Sequence, residues 1–288
     1  MKRTLLLPAA IICLIALSVS AYASYPMRVK DARGKEIFIK SRPMRIVSLA
    51  PSNTEILFAL GLKNRIVGVT KYCDYPAEAK KKAKIGDMTV SAEAVVALKP
   101  DLVLAHATLN STVISRLENM GLTVFAIDPK TIGEVARDVR TVGKITGMPR
   151  KAEQVSRGME RTIAGVKADS AKNAPKKVLV VVQNSPLWAA GPKTFVNEMI
   201  GFANAKNIAY DARPGFVTFS KEIAITRNPD VIIVGREEDV NYFMKSPEWR
   251  NTSAVKHKRI YVIDSDILFR AAPRLSDGLK ELAARLAR

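Results

Sequence analysis

Ser91-Ala-Glu93, leading through Leu98 to Lys99-Pro100-Asp101-Leu102-Val103-Leu104, returns later in the chain as Ser220-Lys-Glu222, leading through Arg227 to Asn228-Pro229-Asp230-Val231-Ile232-Ile233. The interval between matched positions is constant. Each copy predicts a short helix, a turn and a buried strand. Ser is a good N-cap, Pro cannot continue the helix, and an apolar run follows. The repeat therefore predicts two similar lobes. Two lobes leave a cleft between them, a common place for a small ligand, and each lobe carries a Glu at the same structural point.

Outward from the repeat, strand and helix patterns alternate. Arg28 to Lys40, with Asp31-Ala-Arg-Gly34 at its centre, predicts a hairpin. Strands are expected at Arg45 to Leu49, Ile66 to Val69, Leu102 to Ala105 and Thr123 to Ile127, with helices at Thr54 to Leu60, Ala92 to Leu98 and Ser111 to Met120. Strands this apolar, separated by helices, call for a parallel sheet covered on both faces. Gly147-Met148-Pro149 divides two helices, and the second runs on towards Asn173-Ala-Pro175. A second set then begins with strand Lys177 to Val182. The expected organisation is an N-terminal lobe over 24–147, an interlobe helix over 148–174 and a C-terminal lobe over 175–288. The fold class is α/β: two doubly wound lobes with parallel sheets, joined by a single long helix.

Lys2 and Arg3 precede an apolar run from Leu5 to Val19, and Ala21-Tyr22-Ala23 fits a small-x-small cleavage site, so residues 1–23 read as a signal peptide cut after Ala23. The mature protein is expected in the periplasm. Cys13 leaves with the signal, and Cys73 remains as the only thiol, so no internal disulfide can form. The formal charge is +19, of which Lys2 and Arg3 contribute two. Its densest run, Lys80-Lys81-Lys82-Ala83-Lys84, has no interleaved aromatic residues for base stacking, which speaks against nucleic acid and for a solvated basic surface.

Catalytic arrangements are poorly supported. His106 and His257 are the only histidines, so a metal site built from several imidazoles cannot be assembled. There is no Gly-x-Ser-x-Gly elbow, which leaves an exported α/β hydrolase as a distant alternative. His106 can be an ordinary strand-end residue or a ligand contact. In open parallel sheets the ligand meets the loops at the carboxyl ends of the strands. Those loops are Ala50 to Glu55, Thr70 to Pro76, Asn184 to Trp188 and Asp264 to Arg270. They bring Tyr72, Trp188, Phe269, Asp266 and Arg270, a mixture suited to a large, partly apolar ligand bearing amides. Trp188 and Phe269 can equally be packing the lobe edges.

Taken together, Arg45 to Glu55, Val67 to Pro76, Ala97 to Val103, Gly191-Pro-Lys-Thr-Phe195 and Arg270-Ala-Ala-Pro-Arg274 resemble the periplasmic substrate-binding proteins of iron-chelate and cobalamin ABC importers (class III). The likeness spans nearly the whole mature chain, and the Ala-Pro-Ser-Asn-Thr-Glu and Tyr-Cys-Asp-Tyr-Pro segments are most similar to cobalamin binders. The resemblance implies a non-enzymatic receptor that carries a corrinoid as transported ligand and uses no cofactor of its own. It implies that Ser52 and Tyr72 line the site from the first lobe, and Phe216, Asp266 and Arg270 from the second. It further implies that Glu93 and Glu222 meet arginines on the two membrane subunits of the importer. The chain is expected to act as a monomer. Haem or a ferric siderophore in the same fold is the alternative ligand. Asp87-Met88 and Ala203 to Asn207 depart from the cobalamin-binder pattern.

Overall fold

A computed structural model describes residues 24–87 and 89–288. Residues 1–23, read above as a signal peptide and including Cys13, and Met88 lie outside the described residues. In chain order the elements are β1 (Met27–Lys30), β2 (Glu36–Ile39), β3 (Ile46–Ser48), α1 (Pro51–Ala59), β4 (Ile66–Val69), β5 (Ala83–Lys84), α2 (Ala92–Ala97), β6 (Leu102–His106), α3 (Ser111–Asn119), β7 (Val124–Ile127), α4 (Ile132–Ile145) and α5 (Pro149–Ser170). There follow β8 (Lys177–Gln183), β9 (Trp188–Ala190), α6 (Phe195–Phe202), β10 (Lys206–Asn207), β11 (Phe216–Thr218), α7 (Lys221–Arg227), β12 (Val231–Val234), α8 (Glu237–Lys245), α9 (Ser253–Lys256), β13 (Ile260–Val262), α10 (Ser265–Phe269) and α11 (Leu275–Leu286).

The first lobe is a parallel sheet in the order β5-β4-β3-β6-β7, with β1 and β2 forming the expected antiparallel hairpin beside it. Alternate residues of each strand face opposite sides. Ile46, Leu102 and Leu104 pack with Ile56 and Leu57 of α1, while Val47, Val103 and Ala105 pack with Val95 of α2 and Leu117 of α3. Both faces are buried, which is why the strands read as continuous apolar runs. The second lobe repeats the plan: Val178, Val180, Val231 and Ile233 face one core, and Leu179, Val181, Ile232 and Val234 face the other. Its sheet differs in one respect. β8, β12 and β13 are parallel, but β9 and β11 extend it antiparallel, an edge that the short runs around Trp188 and Phe216 did not announce.

The repeated segments are built alike down to single hydrogen bonds. The Ser91 and Ser220 hydroxyls accept from the backbone N–H of Ala94 and Ile223, each at 3.1 Å. Before each proline the backbone turns left-handed, at Lys99 (φ 46°) and Asn228 (φ 50°), ending the helix. The Asp of each Pro-Asp pair reaches back to a sheet strand: Asp101 accepts from the N–H of Arg45, just before β3, at 2.9 Å, and Asp230 from that of Lys177 in β8 at 2.8 Å. Arg45 and Lys177 in turn donate to the last carbonyls of the two helices, at Leu98 and Arg227. Each motif thus ties one helix end to the sheet.

α5, 22 residues long, carries the chain from one core to the other. Ala152 is buried in the first lobe, whereas Met159 and Val166 belong to a second-lobe core. α4 lies beside it and is shared in the same way. Ile132, Val135 and Ala136 pack in the second lobe, while Val139, Val142 and Ile145 pack in the first. The Ile132 N–H at the start of α4 donates to Glu198 of α6 at 2.7 Å. Two packed helices, with polar contacts at their ends, stiffen the joint between the lobes.

Candidate functional site

Two features lie between the lobes, an apolar cavity and an ionic seam. The cavity has a volume of about 440 Å³. One wall comes from the first lobe: Ser52 of α1, His106 at the end of β6, Thr108 and Leu109 after it, and Asp128 to Lys130 after β7. These stand at the carboxyl ends of parallel strands, as the topology requires. The other wall is aromatic. Phe216 makes edge-to-face contacts with Phe195 and Phe269, at centroid distances of 5.7 and 5.8 Å, and Trp188 stands beside them, 39% exposed. Arg270 reaches the cavity from the end of α10.

The polar groups of the first wall are bonded to one another. Asp128 accepts hydrogen bonds from the Thr108 hydroxyl and the Lys130 ammonium, both at 2.6 Å. Burial pushes the Asp128 carboxyl up, but these two bonds outweigh it and hold the group below its usual range. The Leu109 N–H donates to His106 Nδ1 at 3.4 Å, which assigns the ring proton to Nε2, 3.5 Å from Asp128. Burial lowers the His106 pKa, and the Asp128 charge offsets only part of that. Burial thus favours the neutral imidazole, its Nδ1 turned to the Leu109 N–H and its Nε2 facing Asp128.

The seam is made of charges from both lobes. Glu55 of α1, its side chain 2% exposed, accepts from Arg274 Nε at 2.8 Å and Nη2 at 2.6 Å, a fork-to-fork pair. It also accepts from Arg270 Nη1 at 3.2 Å. Arg270 donates in addition to Asp74 at 2.7 Å and pairs with Asp266 at 2.8 Å. Burial tends to raise the Asp74 pKa, but the Arg270 guanidinium brings it below the usual carboxylate range. The Arg274 guanidinium lies 3.6 Å from the centre of the Tyr75 ring, a favourable cation–π contact.

Of the residues the sequence singled out, Ser52, Trp188, Phe216 and Arg270 meet at the cavity. Tyr72 does not line it and is 51% exposed. Asp266 also stands off the cavity and is the partner of Arg270. Phe269, named as a loop aromatic, is the last residue of helix α10 and part of the wall. Two loops of the sequence reading are helical: α1 begins at Pro51, which puts Ser52 and Glu55 in its first two turns, and α10 takes in most of Asp264 to Arg270. Proline in the first turn favours such a start. Cys73 is buried between the hydroxyls of Thr54 and Thr70, at 3.1 and 3.2 Å.

The sequence reading missed the seam partners Asp74 and Arg274, and Thr108, Leu109, Asp128 and Lys193 of the cavity. The strand-end rule could have found Asp128, since Asp128-Pro129-Lys130 follows strand β7. Glu93 and Glu222 sit far from this chemistry in kind. Each lies exposed in the first turn of a Ser-capped helix, Glu93 paired with Arg116 and Glu222 accepting from its own Ser220 hydroxyl at 2.8 Å.

The family model of the periplasmic binding proteins matches residues 46–267, which takes in the first wall and Trp188, Phe195 and Phe216 of the second and ends within α10, before Phe269, Arg270 and Arg274. The chain belongs to the periplasmic binding protein family. This binding protein is 38% identical over 267 residues to the uncharacterized ABC transporter substrate-binding lipoprotein YvrC of Bacillus subtilis, with 90% of this chain and 85% of that one covered. It is 29% identical over 246 residues to a vitamin B12-binding protein of Yersinia pestis, covering 84% of this chain and 86% of that protein. Among solved structures, it superposes on the periplasmic vitamin B12-binding protein BtuF of Vibrio cholerae with a TM-score of 0.77 at 25% identity, over 85% of this chain and 96% of that one. It superposes on the periplasmic haem-binding protein RhuT of Roseiflexus with a TM-score of 0.76 at 28% identity, over 84% and 97%. The binding protein is thus a substrate-binding component of an ABC transporter, and the two-lobed α/β architecture expected from the repeat is the one observed.

Proposed function

We propose that this binding protein captures a corrinoid in the periplasm and delivers it to an ABC importer. The observation that carries the choice of ligand is the state of the cavity's polar groups. A haem needs an axial ligand from the protein, commonly His or Tyr. The His106 ring is turned between the Leu109 N–H and Asp128, and Tyr72 lies off the cavity. A cobalamin brings both axial ligands with it and asks the protein only for an apolar face and some polar contacts to its amides. The wall of Phe216, Phe269 and Trp188 supplies the face, and Ser52 and Thr108 supply polar groups. A catecholate chelate, with its high negative charge, would call for free arginines, and Arg270 is already neutralised by Glu55, Asp74 and Asp266. At about 440 Å³ the cavity takes the edge of a macrocycle and leaves its rim at the mouth. The visible absorption spectrum of protein purified from its native periplasm tests this. Corrin bands support the proposal, and a haem Soret band would overturn it.

Glu93 and Glu222 are the proposed contacts to the importer. A receptor docking on a two-fold symmetric membrane pair must present the same charge twice. The matched Ser-x-Glu turns of α2 and α7 support this reading. Glu93→Ala combined with Glu222→Ala should leave ligand affinity unchanged and abolish uptake by intact cells. Uptake at the native rate in that double variant would reduce the repeat to shared ancestry of the lobes.

A further inference from the structure

Three cationic side chains line the cavity: Lys130, Lys193 and Arg270. Lys130 is held by Asp128 at 2.6 Å, and Arg270 by three carboxylates. Among the described lining residues, Lys193 alone brings a positive charge without a counter-ion. It is exposed at the mouth, between the aromatic wall and solvent.

Its backbone is fixed. Lys193 has φ 58°, a left-handed conformation that a side-chain-bearing residue rarely adopts. The loop around it is pinned to the neighbouring turn, the Gly191 N–H donating to the Gly215 carbonyl and the Gly215 N–H to the Pro192 carbonyl, each at 2.9 Å. The Thr194 hydroxyl closes the loop onto the Gly191 carbonyl at 2.8 Å. Position 191 must be glycine here, because an added Cβ would stand 2.8 Å from the Arg213 carbonyl and 2.9 Å from that of Gly215. A long flexible ammonium is thus anchored at one point of the rim, next to Phe195 and Phe216.

We propose that Lys193 is the anion-binding group of the cleft, and that it pairs with one peripheral anionic group, a phosphodiester or a carboxylate, on a ligand with a flat apolar body. One free ammonium matches one peripheral anion. It does not match a chelate whose metal-binding oxygens spread several negative charges through the cavity. The inference rests on the receptor reading above, and on the corrinoid choice only for its first pair of probes.

The test compares wild-type protein, Lys193→Gln and Lys193→Arg by calorimetric titration at low and high salt. Cyanocobalamin, which has the nucleotide-loop phosphodiester, is set against dicyanocobinamide, which lacks it. Lys193→Gln should weaken cyanocobalamin about fivefold, the upper range of an exposed ion pair. It should leave dicyanocobinamide unchanged. Lys193→Arg should retain affinity, and high salt should erase the difference. Equal losses for both corrinoids, or no loss for either, would overturn the inference. If wild type binds haemin instead, the corrinoid choice fails while this inference is decided by haemin against its dimethyl ester. A loss confined to the free carboxylates supports it, and equal effects overturn it. Binding of a ferric tricatecholate alone would overturn both.

Discussion

The seam and the cavity occupy the same gap between the lobes and follow opposite rules. In the seam, Glu55, Asp74, Asp266, Arg270 and Arg274 neutralise one another so fully that little is left to offer a ligand. In the cavity, Phe216, Phe269 and Trp188 present aromatic faces with almost no polar partners. Arg270 belongs to both, since it lines the cavity while its charge is taken up by the seam. On the proposed function, the difference separates holding the lobes from holding the ligand. A buried ion cluster is specific in geometry and costly to break, whereas an apolar wall gains energy only when something covers it.

Breaking the seam should have the largest effect on the protein itself. Glu55→Ala removes the acceptor of three guanidinium bonds across the gap and leaves Arg274 half-buried without a carboxylate. Removing one partner from a buried pair costs about 3–5 kcal/mol, and urea denaturation should show a loss of that size. A loss confined to a few tenths would mean that the seam is solvated and contributes little to the closed arrangement.

Trimming the wall should act on the ligand and spare the fold. Trp188 is at the start of β9, 39% exposed and lining the cavity, so Trp188→Ala removes cavity-facing area with little core packing. Corrinoid affinity should fall about tenfold, equivalent to about 1.4 kcal/mol, with the denaturation midpoint nearly unchanged. If stability falls as far as affinity does, the wall is part of the core and the separation of roles is lost.

A third carboxylate sharpens the contrast with Glu55. At Asp138 on α4, burial, reinforced by the nearby Glu134 charge, outweighs the pull of Arg137 and pushes the pKa from 3.8 up to about 7. Between these values the folded state holds a proton that the unfolded state has released, so this group's contribution is fully present below pH 3.8 and is lost as pH rises through about 7. Asp138→Asn should therefore flatten the pH dependence of stability across that window and make the protein more stable than wild type at pH 8. Denaturation series at pH 5 and pH 8 check both signs. An unchanged slope would show that Asp138 titrates as an exposed carboxylate.

The sequence was most readable where structure is local. The repeat announced both lobes because an N-cap, a helix end before proline and a doubly buried strand are each written within a few residues. Pro51 and the polar run after it disguised the start of α1, which the sequence placed at Thr54, three residues late. The seam was not readable at all, because Glu55 meets Arg270 and Arg274 from 215 and 219 residues away. No local pattern fixes a pairing at that distance. Phe216 reached the site through family resemblance, and Phe195 only through packing, since aromatic residues in short strands and helix starts look the same whether they face a core or a cleft. Tyr72, placed by the strand-end rule on the loop after β4, is 51% exposed and off the cavity, while Asp74 and Tyr75 of the same loop meet Arg270 and Arg274.

Isothermal titration of the purified protein with cyanocobalamin and, separately, with haemin tests the central claim most directly. Saturable one-to-one binding of cyanocobalamin, with haemin weaker by at least an order of magnitude, is the predicted result. Tight haemin binding with no response to cyanocobalamin would contradict it, and would mean that His106 leaves Asp128 or Tyr72 turns inward when the ligand arrives.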